Sequence, residues 1–110
     1  MLLFEKVRIE VFIPDLPDPS YHSLLNQLKT EFSYAFGGCT LVSASGSFRS
    51  AGGLILPDKI NILFADATLE LQRDRLLVGQ YAGRVRNAVQ RALEREETVL
   101  VSVYTVYHDE

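Results

Sequence analysis

Residues 5 to 13 alternate, with Val7, Ile9, Val11 and Ile13 on one side and Lys6, Arg8, Glu10 and Phe12 on the other. A period of two with β-branched residues on the apolar side predicts a half-buried strand. Pro14, Pro17 and Pro19 end it, because proline donates no ladder hydrogen bond and locks its own φ. The period then lengthens. Asp18 reads as an N-cap with Pro19 at the first helical position. Tyr21, Leu24, Leu25, Leu28, Phe32, Ala35 and Phe36 follow at the i, i+3, i+4, i+7 spacing of an amphipathic helix. Gly37-Gly38 supplies a left-handed cap that stops it.

A second strand runs from Cys39 to about Ala44 and leads into a polar, glycine-bearing connection over residues 45–53. Leu54-Ile55-Leu56-Pro57 reads equally as a short edge extension or as part of a long hairpin. A third strand covers about Lys59 to Ala65, with Ile60, Ile62 and Phe64 expected to face the helices. Residues 71–96 are helical in pattern and free of proline, with Gly79 or Gly83 the expected kink. The last strand, Thr98 to Tyr107, is almost continuously apolar, which predicts a central strand covered on both sides. Strand, helix, strand, strand, helix, strand is the order of a ferredoxin-like α+β sandwich. Right-handed crossovers then place both helices on one face of a four-stranded antiparallel sheet, with the first and last strands expected at its centre.

The chain has 110 residues, enough for a single domain over 1–110 with one hydrophobic core. No apolar run approaches the roughly 20 residues of a membrane span, and Met1-Leu2-Leu3-Phe4-Glu5-Lys6 lacks the plan of a signal peptide. With a single cysteine, Cys39, nothing demands an oxidising compartment, so a cytoplasmic location is expected. A net charge of −3 argues against wholesale binding to nucleic acid or an anionic membrane.

Candidate chemistry is sparse, and no motif implies a cofactor. His22 and His108 are the only histidines and stand outside any metal-ligand spacing, so no metal is expected. Cys39 follows a helix C-terminus, where the dipole disfavours a thiolate, and reads as a buried small hydrophobe. No Gly-x-Ser-x-Gly elbow occurs, and Lys59-Ile60-Asn61-Ile62-Leu63-Phe64 does not fit the aromatic and basic strand motif of RNA-binding relatives of this fold. The second helix carries arginines on both flanks of its apolar face. Arg73, Arg84, Arg91 and Arg95 fall within about 40° of one another at about 100° per residue. Snorkelling over the apolar face explains them, and a surface for a small anionic ligand or an acidic protein partner is the alternative. Arg49, among Gly46, Gly52 and Gly53, is a further candidate anion contact through a backbone nest, with a flexible hairpin as the plainer meaning.

The face of the sheet turned away from the helices is more informative. Phe12, Leu63, Tyr104 and Val106 are assigned to it by alternation, with Leu100 beside them. A contiguous apolar face marks an interface or a ligand groove. The leading expectation is therefore a small homo-oligomeric binding module, joined through the sheet face and without catalysis of its own. The rivals are a dimeric α/β-barrel-type enzyme, with a cavity between sheet and helices served by His22, Tyr104 or His108, and an accessory protein docking an acidic partner.

Gly37-Gly38-Cys39-Thr40, then Gly46-Ser47-Phe48 and Gly53 before a strand, resembles the Gly-Gly-x-Thr, Gly-x-aromatic, Gly pattern of a small uncharacterised bacterial family. Phe48 stands where that pattern carries tryptophan, and Pro57-Asp58 where it carries glutamate. The resemblance implies the same ferredoxin-like layout and brings no established activity with it.

Overall fold

A computed structural model of the chain describes residues 1–17, 19–93 and 99–109. Among the described residues six elements follow one another: β1 (Leu3–Pro14), α1 (Pro19–Phe36), β2 (Thr40–Arg49), β3 (Ile55–Ala67), α2 (Leu71–Leu93) and β4 (Leu100–Asp109). All strand pairs are antiparallel, and one four-stranded sheet forms in the order β2-β3-β1-β4. Both helices pack on one face, which is the expected ferredoxin-like sandwich.

Strand order departs from expectation. Each β-α-β unit steps over one strand, so the two units interleave and leave β1 and β3 at the centre with β4 at an edge. The apolar run of β4 has another cause than a central position. Val99, Val101 and Val103 join the core, while Leu100, Tyr104 and Val106 lie on the open face.

Val7, Ile9, Val11 and Ile13 of β1 face the helices, as their alternation requires. Tyr21, Leu24, Leu25, Leu28 and Phe32 of α1 meet them, with Val78, Val85 and Val89 of α2. Gly37 closes α1 at φ +86°, its N–H donating to the Ser33 carbonyl at 2.9 Å, so the left-handed cap is present. The Asp18 cap lies outside the described residues.

β3 turns the other way from the expected one. Asn61, Leu63, Ala65 and Ala67 are buried toward the helices, and Ile60, Ile62 and Phe64 face away. Leu63, expected on the open face, is fully buried in the core. The reason lies two residues beyond the apolar triplet. Had Ile60, Ile62 and Phe64 faced the helices, the same alternation would have driven Asp66 into the core, since a one-residue slip flips every side chain. Asp66 instead meets Arg8 on the open face. Asn61 is tolerated inside because its amide donates to the Tyr21 hydroxyl at 2.5 Å and accepts from Ser43 at 3.4 Å.

The connection over residues 45–58 is a long hairpin. β2 and β3 pair from Thr40↔Phe64 up to Arg49↔Ile55. A tight turn joins them: the Gly53 N–H donates to Ser50 at 2.9 Å, with Gly53 at φ +84°. The arm projects from the body, and the radius of gyration is 15.4 Å against about 13 Å for a compact chain of this length.

α2 is irregular at Asp74 (φ −105°, ψ 19°) and not at Gly79 or Gly83. The Asp74 carboxylate accepts the Glu70 N–H at 3.0 Å, a local bond that competes with regular helix at this turn. The helix is described to Leu93, and the expected residues 94–96 lie outside the description.

Candidate functional site

Directly opposed residues share a face of a sheet, so the registers of the three ladders define what the open face carries. One rung reads Leu100, Phe12, Ile62 and Val42 across all four strands. The apolar strip extends onto the hairpin through Ala44 and Ile60, is interrupted by the Gly46–Asp58 pair, and resumes at Phe48 and Leu56. Leu100, Val42 and Phe48 are 54%, 41% and 49% exposed, a large outlay of apolar surface to water.

Below that rung the face becomes polar. Asp66, Arg8 and Tyr104 form one rung across β3, β1 and β4, with Glu10 on the next. Arg8 donates from Nε to Asp66 Oδ1 at 2.7 Å and from Nη2 to Oδ2 at 3.0 Å, a bidentate pair. His108 Nε2 lies 2.8 Å from the same Oδ2. The Tyr104 hydroxyl donates to Glu10, and the Arg8 guanidinium stacks 4.4 Å from the Phe64 ring centroid. The bond to Arg8 holds the Asp66 carboxyl below the usual carboxylate range, with His108 assisting. In return, the Asp66 carboxylate raises the Arg8 guanidinium, which stays charged throughout. Glu10 raises the Tyr104 phenol.

Of the residues expected here, the structure brings Phe12, Tyr104 and Val106 together on this face and removes Leu63 to the core. The Arg8–Asp66–His108 cluster is not legible in the chain because its members come from three strands. The trace was the even-numbered row Phe64, Asp66 on β3 against Tyr104, Val106, His108 on β4, legible only once the register of β3 is known.

The arginines divide. Arg84 and Arg91 line one groove of about 420 Å³ between α1 and α2, with Tyr81 and Glu31. The Tyr81 hydroxyl donates to Glu31 at 3.3 Å, and Arg84 stands 6.0 Å from the Tyr81 ring centroid. Burial, with Glu31 nearby, pushes the Tyr81 phenol up to about 12. Arg73 is held by Asp74 at 2.9 Å, and Arg95 lies outside the described residues. Arg49 ends β2 opposite Ile55, on another element from the helix arginines. Gly46 sits in the ladder opposite Asp58 and the Gly53 N–H is spent on Ser50, so those glycines do not converge on an anion.

His22 is on α1 and His108 on β4, and no group of three metal-ligating side chains occurs among the described residues. Tyr104 and His108 sit on the open face, apart from the packed layer between sheet and helices where the enzyme reading placed an acid or base. Cys39 is half-buried, with its sulfur 3.7 Å from Ser33 Oγ and from the Lys29 carbonyl.

Solved structures share this architecture. CPII, a nitrogen regulatory PII-like protein from Thiomonas intermedia bound to ADP, AMP and bicarbonate, superposes with a TM-score of 0.54 at 15% identity, over 99% of this chain and 100% of that one. CutA from Synechococcus elongatus superposes with a TM-score of 0.51 at 12% identity, over 96% of this chain and 80% of that one. The likeness is one of fold. No family model and no curated protein matches the chain, so the glycine motif stands on its own residues. No helix among the described residues is long and apolar enough to cross a membrane.

Proposed function

We propose that this chain is a small self-associating module that covers the open face of its sheet with a second copy. The observation that carries the reading is the unbroken apolar rung Leu100, Phe12, Ile62, Val42, with Ala44 and Ile60 beside it and a second apolar pair, Phe48 and Leu56, beyond Asp58 on the hairpin. Each large side chain of this kind gains roughly 1.5–3 kcal/mol when fully buried. The four strands hold 12, 10, 13 and 10 residues, and at about 4.8 Å by 3.3 Å each they give a whole sheet face on the order of 700 Å² before side-chain relief. A standard interface uses about 800 Å² from each partner. A two-fold contact needs one self-complementary patch, and apolar rung on apolar rung provides it. The Arg8–Asp66–His108 cluster, already paired within the chain, then enters the interface without leaving a lone buried charge.

Sedimentation at micromolar concentration tests this. Wild type should associate reversibly, and Phe12→Glu with Tyr104→Glu should shift the folded protein toward monomer at equal concentration. A wild-type chain that sediments strictly as a monomer would overturn the reading.

A second reading is supported by the groove shared by Arg84 and Arg91. Two guanidinium groups set against the single carboxylate of Glu31 leave the groove net positive, which suits a small anionic ligand or an acidic partner. The fold itself accommodates anions, since CPII is bound to ADP, AMP and bicarbonate.

A further inference from the structure

At the end of the sheet that holds the start of β1 and the close of β4, the core gives way to polar residues. Along the helix-facing rows, Ile9 opposite Val103 is followed by Val7 opposite Thr105 and then by Glu5 opposite Tyr107. The first turns of α2 cross this end without sealing it. A cavity of about 620 Å³ remains, floored by Leu71, Val78 and Val103 and edged by Glu5, Gln72, Arg75 and Thr105. Its volume lies in the range of small-molecule sites, roughly 300–1,000 Å³.

Two observations set this cavity apart from a chance gap. Glu5 and Arg75 present opposite charges to one space, yet neither side chain forms an ion pair or hydrogen bond with any described residue. Arg73, which also feels Glu5, is engaged by Asp74 at 2.9 Å and Glu70 at 3.8 Å. The second observation is Gly79, one helical stripe along from Gln72 and Arg75. Glycine weakens a helix interior relative to alanine. No crowding requires it here, because a Cβ at this position meets nothing within 4 Å. What its absence does is keep the wall of the cavity flat.

We propose that this cavity binds a small zwitterion with an apolar tail, of the class of aliphatic α-amino acids. Arg75 and Gln72 donate to the carboxylate, Glu5 accepts from the ammonium, and the tail lies on Val78 and Val103 over Gly79. A simple anion would be repelled by Glu5, and a simple cation would leave Arg75 unsatisfied. A zwitterion satisfies both. The cavity lies on the helix side of the sheet, so the proposal goes beyond self-association and does not depend on it.

The test is an amide-resolved NMR titration of the full chain with L-leucine, 4-methylpentanoate and 3-methylbutylamine. Leucine should give saturable shifts at Val78, Gly79, Val103 and Thr105, and each single-charge analogue should bind on the order of tenfold more weakly or worse. Arg75→Gln and Glu5→Gln, both at exposed positions, should each weaken leucine binding on the order of tenfold with an unchanged far-ultraviolet circular dichroism spectrum. Gly79→Leu should abolish it by filling the space; should that variant fail to fold, the two glutamine variants decide alone. Absence of saturable shifts at millimolar leucine, or equal binding of either analogue, overturns the proposal. Neither result bears on sedimentation, so the two readings fail separately.

Discussion

Replacing Asp66 by asparagine probes the polar half of the open face most directly. The carboxylate holds Arg8 through two bonds of 2.7 and 3.0 Å and His108 at 2.8 Å. An exposed ion pair contributes about 0–1 kcal/mol, whereas breaking a fully buried one costs about 3–5 kcal/mol. Here the side chains are 14% exposed for Asp66 and 27% for Arg8, so the pair lies between those limits and nearer the buried one. An asparagine side chain at this position would keep one acceptor oxygen and lose the charge, and Asp66→Asn should cost about 2 kcal/mol. Urea unfolding at one fixed protein concentration measures it. A double-mutant cycle with Arg8→Met should return a coupling of about 1–2 kcal/mol, because the two groups share both bonds. The pH dependence has a definite sign. Arg8 lowers the folded pKa of Asp66 below its ordinary 3.8, so the increment is fully present above that value and lost as pH falls through the folded pKa. The Asp66→Asn variant should lack this acid-side loss. A cost under about 0.5 kcal/mol together with a coupling near zero would show that the cluster is no more than a solvated surface pair.

The remaining tests address register and charge. Leu63→Ala should cost about 2–5 kcal/mol in chemical denaturation, as should Leu28→Ala, while Ile62→Ala on the open face of the free chain should cost clearly less; the reverse ranking would mean that β3 faces the other way. Arg84→Gln with Arg91→Gln should leave the fold intact, since glutamine has comparable helix propensity, and should abolish any salt-sensitive binding of an anionic ligand such as AMP measured by calorimetry. Binding indifferent to both the double change and added salt would leave the two arginines as snorkelling side chains.

Much of this protein is local and therefore legible in the chain. The alternation of Val7, Ile9, Val11 and Ile13, the stripe from Tyr21 to Phe32 and the Gly37 cap each depend on neighbours within a turn or a strand, and each is present in the structure. Element order carried the fold class for the same reason, because few two-layer arrangements accept strand, helix, strand, strand, helix, strand. Position within the sheet is not local. The run Val99 to Val106 reads as a buried strand whether one side or both are covered by neighbours, and only the interleaving of the two β-α-β units put β4 at an edge. The facing of β3 was likewise undecidable from Ile60 to Ala65 alone, since both of its registers are largely apolar. What settled it was a partner on another strand: Arg8, fixed on the open face by β1's own alternation, held Asp66 there, and Leu63 went into the core as a consequence. The Arg8–Asp66–His108 cluster exists only after that step, and the cavity between Glu5 and Arg75 only once α2 packs over β1 and β4, because each joins residues that the chain separates.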